Sequence, residues 1–180
     1  MRALVVYESM FGNTEAVARA IADGLSTWAE VTIHEIRSAP QAVDDEVDLL
    51  VAGGPTHAFG LSRESTRQDA ATKGGDAEAA AGIGLREWIE ALRPSPGVSV
   101  ATFDTRVHRP RVPGSAARAA RKRLRAHGFP ALDPPTTFWV EGTSGPLVDG
   151  EEDRARRWGA ELLEALREQQ AQRAGSTTTR

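Results

Sequence analysis

Short, uninterrupted apolar segments are the feature of this sequence that most restricts its fold. Residues 3–7, 48–53 and 99–103 each form such a segment, five or six residues long and without alternating polar positions. Runs of this kind are typical of strands that are buried on both faces of a sheet. Because both faces are covered only when helices pack above and below the sheet, the pattern favours a parallel sheet between two helical layers.

Two further segments complete the predicted sheet. Residues 30–36 alternate between apolar and polar positions, as in an edge strand, and residues 137–141 supply the fifth strand. Helical patterns separate the strands and are predicted at residues 14–26, 86–92, 115–127 and 151–170. The alternation of strand and helix predicts an α/β fold, a doubly wound five-stranded parallel sheet with helices on both faces.

The composition excludes several kinds of protein. The 180 residues include no cysteine, which excludes disulfides, thiol nucleophiles and cysteine-bound metals, so any redox chemistry must come from a bound cofactor. The 22 basic and 25 acidic residues give a net charge of −3, which does not indicate binding to nucleic acid or to a membrane surface. No apolar run is long enough to span a bilayer or to act as a signal peptide, so we expect a cytoplasmic protein.

The chain is predicted to form one domain over residues 1–169, followed by a polar, flexible tail over residues 170–180. Within the domain, residues 54–84 show no apolar periodicity, and residues 63–82 are rich in glycine, alanine and charge. A loop of this length is uncommon, and it is usually a functional lid or a mobile insertion. Both alternatives stand at this point.

Small and polar residues join the first strand to the first helix. A helix N-terminus presents unpaired N–H groups and the positive end of the helix dipole, so this position favours an anion. Glycine permits a tight turn there, and hydroxyl and amide side chains add neutral donors. The candidate phosphate-binding residues are Ser9, Met10, Phe11, Gly12, Asn13 and Thr14. The alternative interpretation is that Ser9 and Thr14 only cap the helix.

The same turn lacks the residues that other phosphate sites need. It contains no Lys or Arg and no Gly-Lys-Ser/Thr ending, which excludes a nucleoside triphosphate site of the Walker type. A dinucleotide fingerprint needs three spaced glycines, and only Gly12 is present. A phosphorelay receiver domain needs an aspartate after the third strand, where this chain has Gly53 and Gly54. Each of these three classes is therefore excluded by particular residues.

Three motifs together resemble a known family. The Ser-x-x-Gly-Asn-Thr turn at residues 9–14 resembles the phosphate loop of flavodoxins and related flavin mononucleotide (FMN) proteins. Residues 53–60, Gly-Gly-Pro-Thr-His-Ala-Phe-Gly, resemble the loop that borders the flavin ring, and residues 142–151 resemble the turn into the last helix of that family. The resemblance implies a flavodoxin-like sheet of strand order 2-1-3-4-5, with FMN bound at the carboxyl ends of its strands.

The resemblance also implies which residues surround the flavin ring. They are Pro55, Thr56, His57, Ala58, Phe59 and Gly60 on one side, and Asp104, Thr105 and Arg106 on the other. Phe59 or the imidazole of His57 would supply an aromatic face. Many flavodoxins have a Trp in the first ring loop and a Tyr in the second, and this sequence has neither residue there.

Positive charge near the expected ring is a second departure from the family, whose low-potential members surround the ring with acidic residues. Arg106, His108, Arg109 and Arg111 lie in or beside the second ring loop. Such charge would stabilise an anionic reduced flavin and raise its potential, or attract an anionic partner, unless the arginines are simply exposed. The basic residues at 118–125, in the next helix, are predicted to be a solvated face.

The predicted function is electron transfer by an FMN-binding protein that shuttles electrons between a reductase and an acceptor. Its expected partners are redox proteins, and we expect no nucleic acid, no membrane insertion, no metal and no catalytic side chain. The first alternative is an FMN-dependent NAD(P)H:quinone reductase of the same fold, with residues 61–84 as a lid and the basic loop as an anion clamp. The second alternative is an interaction module that kept the fold and lost the cofactor.

Overall fold

The computed structural model describes residues 1–93, 95–108 and 113–177, with side chains as far as residue 172. The strands are β1 (Arg2–Tyr7), β2 (Glu30–Glu35), β3 (Leu49–Pro55), β4 (Ser99–Val107) and β5 (Thr136–Val140). The helices are α1 (Asn13–Leu25), α2 (Glu64–Thr72), α3 (Ala77–Ala81), α4 (Leu85–Ala91), α5 (Ala116–Ala126) and α6 (Glu151–Thr177). A 3₁₀ turn at Ile36–Ser38 follows β2.

The sheet is parallel throughout, and its strand order is β2-β1-β3-β4-β5. This order confirms the predicted α/β, flavodoxin-like fold. After β1 the chain crosses to one side of the sheet and after β3 to the other, so the loops that follow β1 and β3 diverge. A crevice at the carboxyl ends of the strands is the result, and ligands of open α/β sheets bind at such a point.

Strand β4 is longer than the apolar run at residues 99–103 predicts. It continues to Val107 because Thr105 pairs with Pro55 of β3 and Arg106 pairs with Trp139 of β5. Asp104, Thr105 and Arg106 therefore belong to the end of a strand, and the expectation that they lie in a ring loop is wrong. Ladder hydrogen bonds on both sides explain how a polar sequence stays extended there.

Successive residues of the central strands face opposite helical layers. Val5, Val51 and Phe103 pack with α1 and α6, where Phe103, Phe138 and Trp158 meet edge to face. Leu4, Leu50 and Val100 instead pack with α4 and α5. Because successive side chains along a strand point to opposite faces, each face of the sheet packs against its own apolar core.

The segment without apolar periodicity forms helices α2 and α3, so the expectation of an irregular loop there is wrong. Ala70, Ala79 and Ala80 of these helices are buried against Met10 in the loop after β1. The backbone N–H of Asp76 donates to the carbonyl of Met10 at 2.9 Å, and the Asp76 side chain caps α3. The segment therefore packs against the candidate phosphate loop.

The last helix also differs from the sequence interpretation. Helix α6 continues to Thr177, past the predicted end at residue 170, so the tail is helical over most of its length. The division into a domain at residues 1–169 and a tail at 170–180 stays a prediction. Within the described residues no helix is both long enough and apolar enough to cross a membrane.

Helices α1 and α6 approach one another closely at two glycines. A Cβ on Gly24 of α1 would clash with the carbonyl of Arg156, and a Cβ on Gly159 of α6 would clash with the carbonyl of Ile21. The two helix backbones are thus in direct contact, which only glycine allows.

Candidate functional site

The loop between β1 and α1 wraps around the N-terminus of the helix. Gly12, the residue before α1, has a φ of +85°, a left-handed conformation that favours glycine. The Oγ of Ser9 accepts hydrogen bonds from the backbone N–H groups of Gly12 at 3.1 Å and of Glu15 at 3.4 Å. The Ser9 side chain therefore holds the turn together, as the alternative interpretation expects for Ser9, whereas within the described residues Thr14 makes no such capping bond.

Two side chains connect this loop to other segments. The Nδ2 of Asn13 donates to the carbonyl of Ser144 at 3.1 Å, which joins α1 to the loop before α6. The Oγ1 atoms of Thr14 and Thr105 lie 2.7 Å apart, and the Thr14 side chain is buried. Thr14 thus links the start of α1 to the end of β4, across the crevice in the sheet.

The largest group of predicted site residues lines one cleft at the carboxyl ends of the strands. Those that line it are Met10, Phe11, Asn13, Thr14, Pro55, Thr56, His57, Ala58, Thr105 and Arg106. Ser9 and Gly12 do not line it, because they shape the turn behind it. Phe59 and Gly60 border a neighbouring groove.

Asp104 is not on the cleft wall, so its predicted role as a ring contact is not supported. The side chain is fully buried, and its Oδ2 accepts from the Thr56 hydroxyl at 3.0 Å, the Ser115 hydroxyl at 2.6 Å and the Ala117 N–H at 3.0 Å. Thr56 in turn accepts from the N–H of Ala116 at 2.9 Å. Asp104 therefore fixes the first ring loop to the start of α5.

Residues 57–60 form a tight hairpin at the rim of the cleft. His57 and Gly60 exchange two backbone hydrogen bonds, of 2.9 and 2.8 Å. Ala58 and Phe59 between them have φ values of +35° and +79°, which is uncommon for residues other than glycine and costs conformational energy. The turn presents Phe59 with 62% of its surface exposed.

His57 is held against helix α2. Burial lowers the pKa of its imidazole, an effect that the backbone of Thr66 opposes. The neutral form is therefore favoured near pH 7, and the ring can offer an uncharged polar wall to the cleft.

Helix α2 supplies a wall of the cleft that the sequence interpretation missed. Thr66, Asp69, Ala70 and Lys73 line it, and the Nζ of Lys73 lies 2.6 Å from Oδ2 of Asp69. Their spacing of three, four and seven residues puts them on one helix face. In the sequence, this spacing is the signal that could have indicated the wall. It is hard to detect because, of these four residues, only Ala70 is apolar.

Arg106 lies at the other rim of the cleft. Its Nη1 donates to the carbonyl of Gly114 at 2.7 Å, and its guanidinium lies over the ring of Trp139, 5.4 Å from the centroid. His108 contacts the same ring edge to face. Arg109 and Arg111, also predicted to form the basic loop, lie outside the described residues.

In the part of the chain that the structure describes, no group of three or more His, Asp or Glu side chains is arranged to hold a metal. The cleft is instead lined by hydroxyl side chains such as Thr14, Thr56 and Thr105 and by apolar ones such as Pro55 and Val107, and it lies where the strand order reverses.

Comparison with known proteins agrees with this geometry. The family model for flavodoxin matches residues 5–92, which include the loop before α1, the hairpin and α2. The fold of the chain is flavodoxin-like, and nearly half of its sequence resembles flavodoxin. No curated protein sequence matches it significantly.

Solved flavodoxins have the same fold as this flavodoxin-like chain. An archaeal flavodoxin is 17% identical, over 93% of this chain and 99% of its own, with a TM-score of 0.61. Flavodoxin 1 of Bacillus cereus is 16% identical over 91% and 98% of the two chains, with a TM-score of 0.64. Flavodoxin 2 of the same organism is 19% identical over 91% and 99%, with a TM-score of 0.62.

Proposed function

We propose that this flavodoxin-like chain binds FMN and carries electrons between a reductase and an acceptor protein. The observation that carries the proposal is the loop before α1, where Gly12 turns the backbone into the helix N-terminus and Asn13 and Thr14 line the adjoining cleft. Neutral donors at a helix N-terminus suit a terminal phosphate. The adjoining cleft provides the apolar walls that a flat heteroaromatic ring needs.

The residues present fit the cofactor in both of its parts. Residues 10–14 would hold the phosphate, and Pro55, Ala58 and Val107 would pack against the ring. When bound, FMN supplies the electron-accepting chemistry, and the protein supplies orientation and the electrostatic surroundings. The single turn, without the glycines of a dinucleotide site, favours FMN over flavin adenine dinucleotide.

Helix α2 is the observation that favours a second candidate, an NAD(P)H:quinone reductase. It lines the cleft with Thr66 and with the Lys73–Asp69 pair, so it could form one side of a nicotinamide pocket. A reductase needs such a pocket over the ring, whereas a carrier needs only one exposed ring edge.

One series of measurements tests the proposal. Protein purified without added flavin is expected to show the absorption bands of a bound flavin, or to regain them on titration with FMN. Affinity should fall in the order FMN, riboflavin, flavin adenine dinucleotide. A protein that binds none of these flavins would contradict the proposal, and rapid NADPH oxidation with a quinone would favour the reductase instead.

A further inference from the structure

One face of helix α5 carries only positive charge. Arg118, Arg121, Lys122 and Arg125 are separated by three, one and three residues, which places them on the same side of the helix. We call these four residues the basic stripe. With Ala126 and Pro135 they line a shallow groove that has no acidic residue in its lining. The stripe extends about 10 Å along the helix axis.

The basic stripe has no charged partner among the described residues. Arg123, on another side of the same helix, lies 3.7 Å from Glu90 of α4, and Arg154 and Arg156 of α6 pair with acidic residues of α1 and α6. Helix α5 itself contains no Asp or Glu. The Nε of Arg121 is buried and has no hydrogen-bond partner in the described part of the chain.

The basic stripe lowers the stability of helix α5. Like charges four residues apart on a helix, such as Arg118 and Lys122, destabilise it by a few tenths of a kcal/mol per pair. Arg118 also lies in the first turn, where the helix dipole disfavours a cation. Arg125, in the last turn, gains from the same dipole, but no described acidic residue offsets the repulsion within the stripe, whereas an external anion would.

The basic stripe begins beside the candidate site. The N–H of Ala116 donates to the Thr56 hydroxyl on the cleft wall, and Ala119 lines the groove next to Phe59 and Gly60. Arg118 lies between these two positions in the sequence. A partner that covers the stripe would therefore reach the rim of the cleft.

From these observations we propose that the basic stripe docks an acidic patch of a partner protein, in an orientation that brings the partner to the cleft. The inference rests on the proposed electron-carrier function and names the chemistry of its partner. Arginine forks match carboxylates in paired hydrogen bonds, and complementary charge speeds and orients association.

The net charge of the chain also favours an acidic protein over other anions as the partner. The chain has a net charge of −3, so it repels a uniform polyanion such as DNA, whereas a protein with a local acidic patch meets only the stripe. The groove lining contains no aromatic side chain on which bases would stack.

An acidic [2Fe–2S] ferredoxin is the probe for the test. Its association with the full chain is measured with and without FMN, at low and at high salt, so that docking is recorded even if the flavin does not bind. The test variant is Arg118→Glu with Lys122→Glu. The control variant is Arg93→Glu with Arg157→Glu, which changes the net charge equally at two exposed positions outside α5.

Salt should weaken the association of the parent with ferredoxin. The test variant should bind at least tenfold more weakly at low salt, and the control should stay within about twofold of the parent. Equal losses in both variants, or no dependence on salt, would overturn the proposal. So would tighter binding of the parent to a DNA duplex, or self-association of the parent that the test variant loses. Loss of flavin binding with docking intact would contradict only the proposed function.

Discussion

Thr14 joins the loop before α1 to β4, and its hydroxyl lies where a phosphate is expected. Replacing it with Val keeps the side-chain shape and removes one donor. Because a hydrogen bond to a charged group contributes about 1.5–3 kcal/mol, FMN affinity should fall about tenfold or more. Riboflavin, which has no phosphate, should lose little. Flavin titrations of both ligands check this, with the exposed Thr32→Val as a control. An equal loss for the two flavins would remove Thr14 from the phosphate site.

Glu8 is a buried carboxyl group behind the cleft. Its Oε2 accepts from the N–H of Leu85 at 2.8 Å, and within the described residues its Oε1 has no partner. Burial raises the pKa of Glu8, an effect that the N–H of Leu85, the Ser62 hydroxyl and the Arg67 guanidinium oppose. The folded protein therefore holds the proton more tightly than the unfolded chain does.

The raised pKa of Glu8 sets the sign of a pH effect. Its contribution to stability is complete below the ordinary pKa of 4.5 and is lost as the pH rises through the folded value. Glu8→Gln keeps an acceptor for Leu85 and carries no charge, so it should raise the free energy of unfolding more at pH 8 than at pH 5. Urea unfolding at both pH values measures this. The same difference at both would show that Glu8 does not titrate in this range.

At the scale of elements, α2 is expected to be part of the flavin site. Ala70 is buried against Met10 and also lines the cleft, so Ala70→Glu places a carboxylate between the helix and the phosphate loop. FMN affinity should fall at least tenfold through charge repulsion and displacement of Met10. The exposed Ser65→Glu adds the same charge outside the cleft and should change affinity less than about twofold. Similar losses in both variants would show that overall charge is responsible.

The sequence predicts those elements that bury large side chains. Strands β1 and β3 and helices α1, α4 and α6 follow from apolar runs and stripes. Helices α2 and α3 do not, because their buried residues are alanines such as Ala70 and Ala79, which give no hydrophobic pattern. The end of β4 was missed for a related reason, since the polar Asp104 and Thr105 are buried through hydrogen bonds.

The sequence likewise predicts some parts of the candidate site and not others. The loop before α1 is local, so the sequence from Ser9 to Thr14 predicts it directly. The role of Asp104 depends on Thr56 and Ser115, which only the folded chain brings together. A carboxylate that binds a ligand and one that supports a loop look alike in a sequence, and burial is what distinguishes them.

At the scale of the whole molecule, FMN binding should stabilise the fold. The cleft joins loops from β1, β3 and β4, so a ligand there binds the folded chain and not the unfolded one. A hundredfold excess over Kd adds about 2.7 kcal/mol, which for a domain of this size raises Tm by about 5–10 °C. Thermal unfolding with FMN measures the shift, and adenosine monophosphate at the same concentration should give a smaller one. Equal shifts would indicate unspecific anion binding.

Because α1 and α6 approach one another closely at Gly24 and Gly159, substitutions at these glycines, far from the cleft, are expected to affect it. Gly24 lies about 16 Å along α1 from Asn13, the first residue of that helix. A methyl group at Gly159 would push against Ile21 and shift α1 as a rigid rod, so the N–H groups at its other end would move with it. If the chain binds flavin as proposed, a random-mutagenesis screen for colourless colonies should recover substitutions at these glycines as well as in the loops that line the cleft.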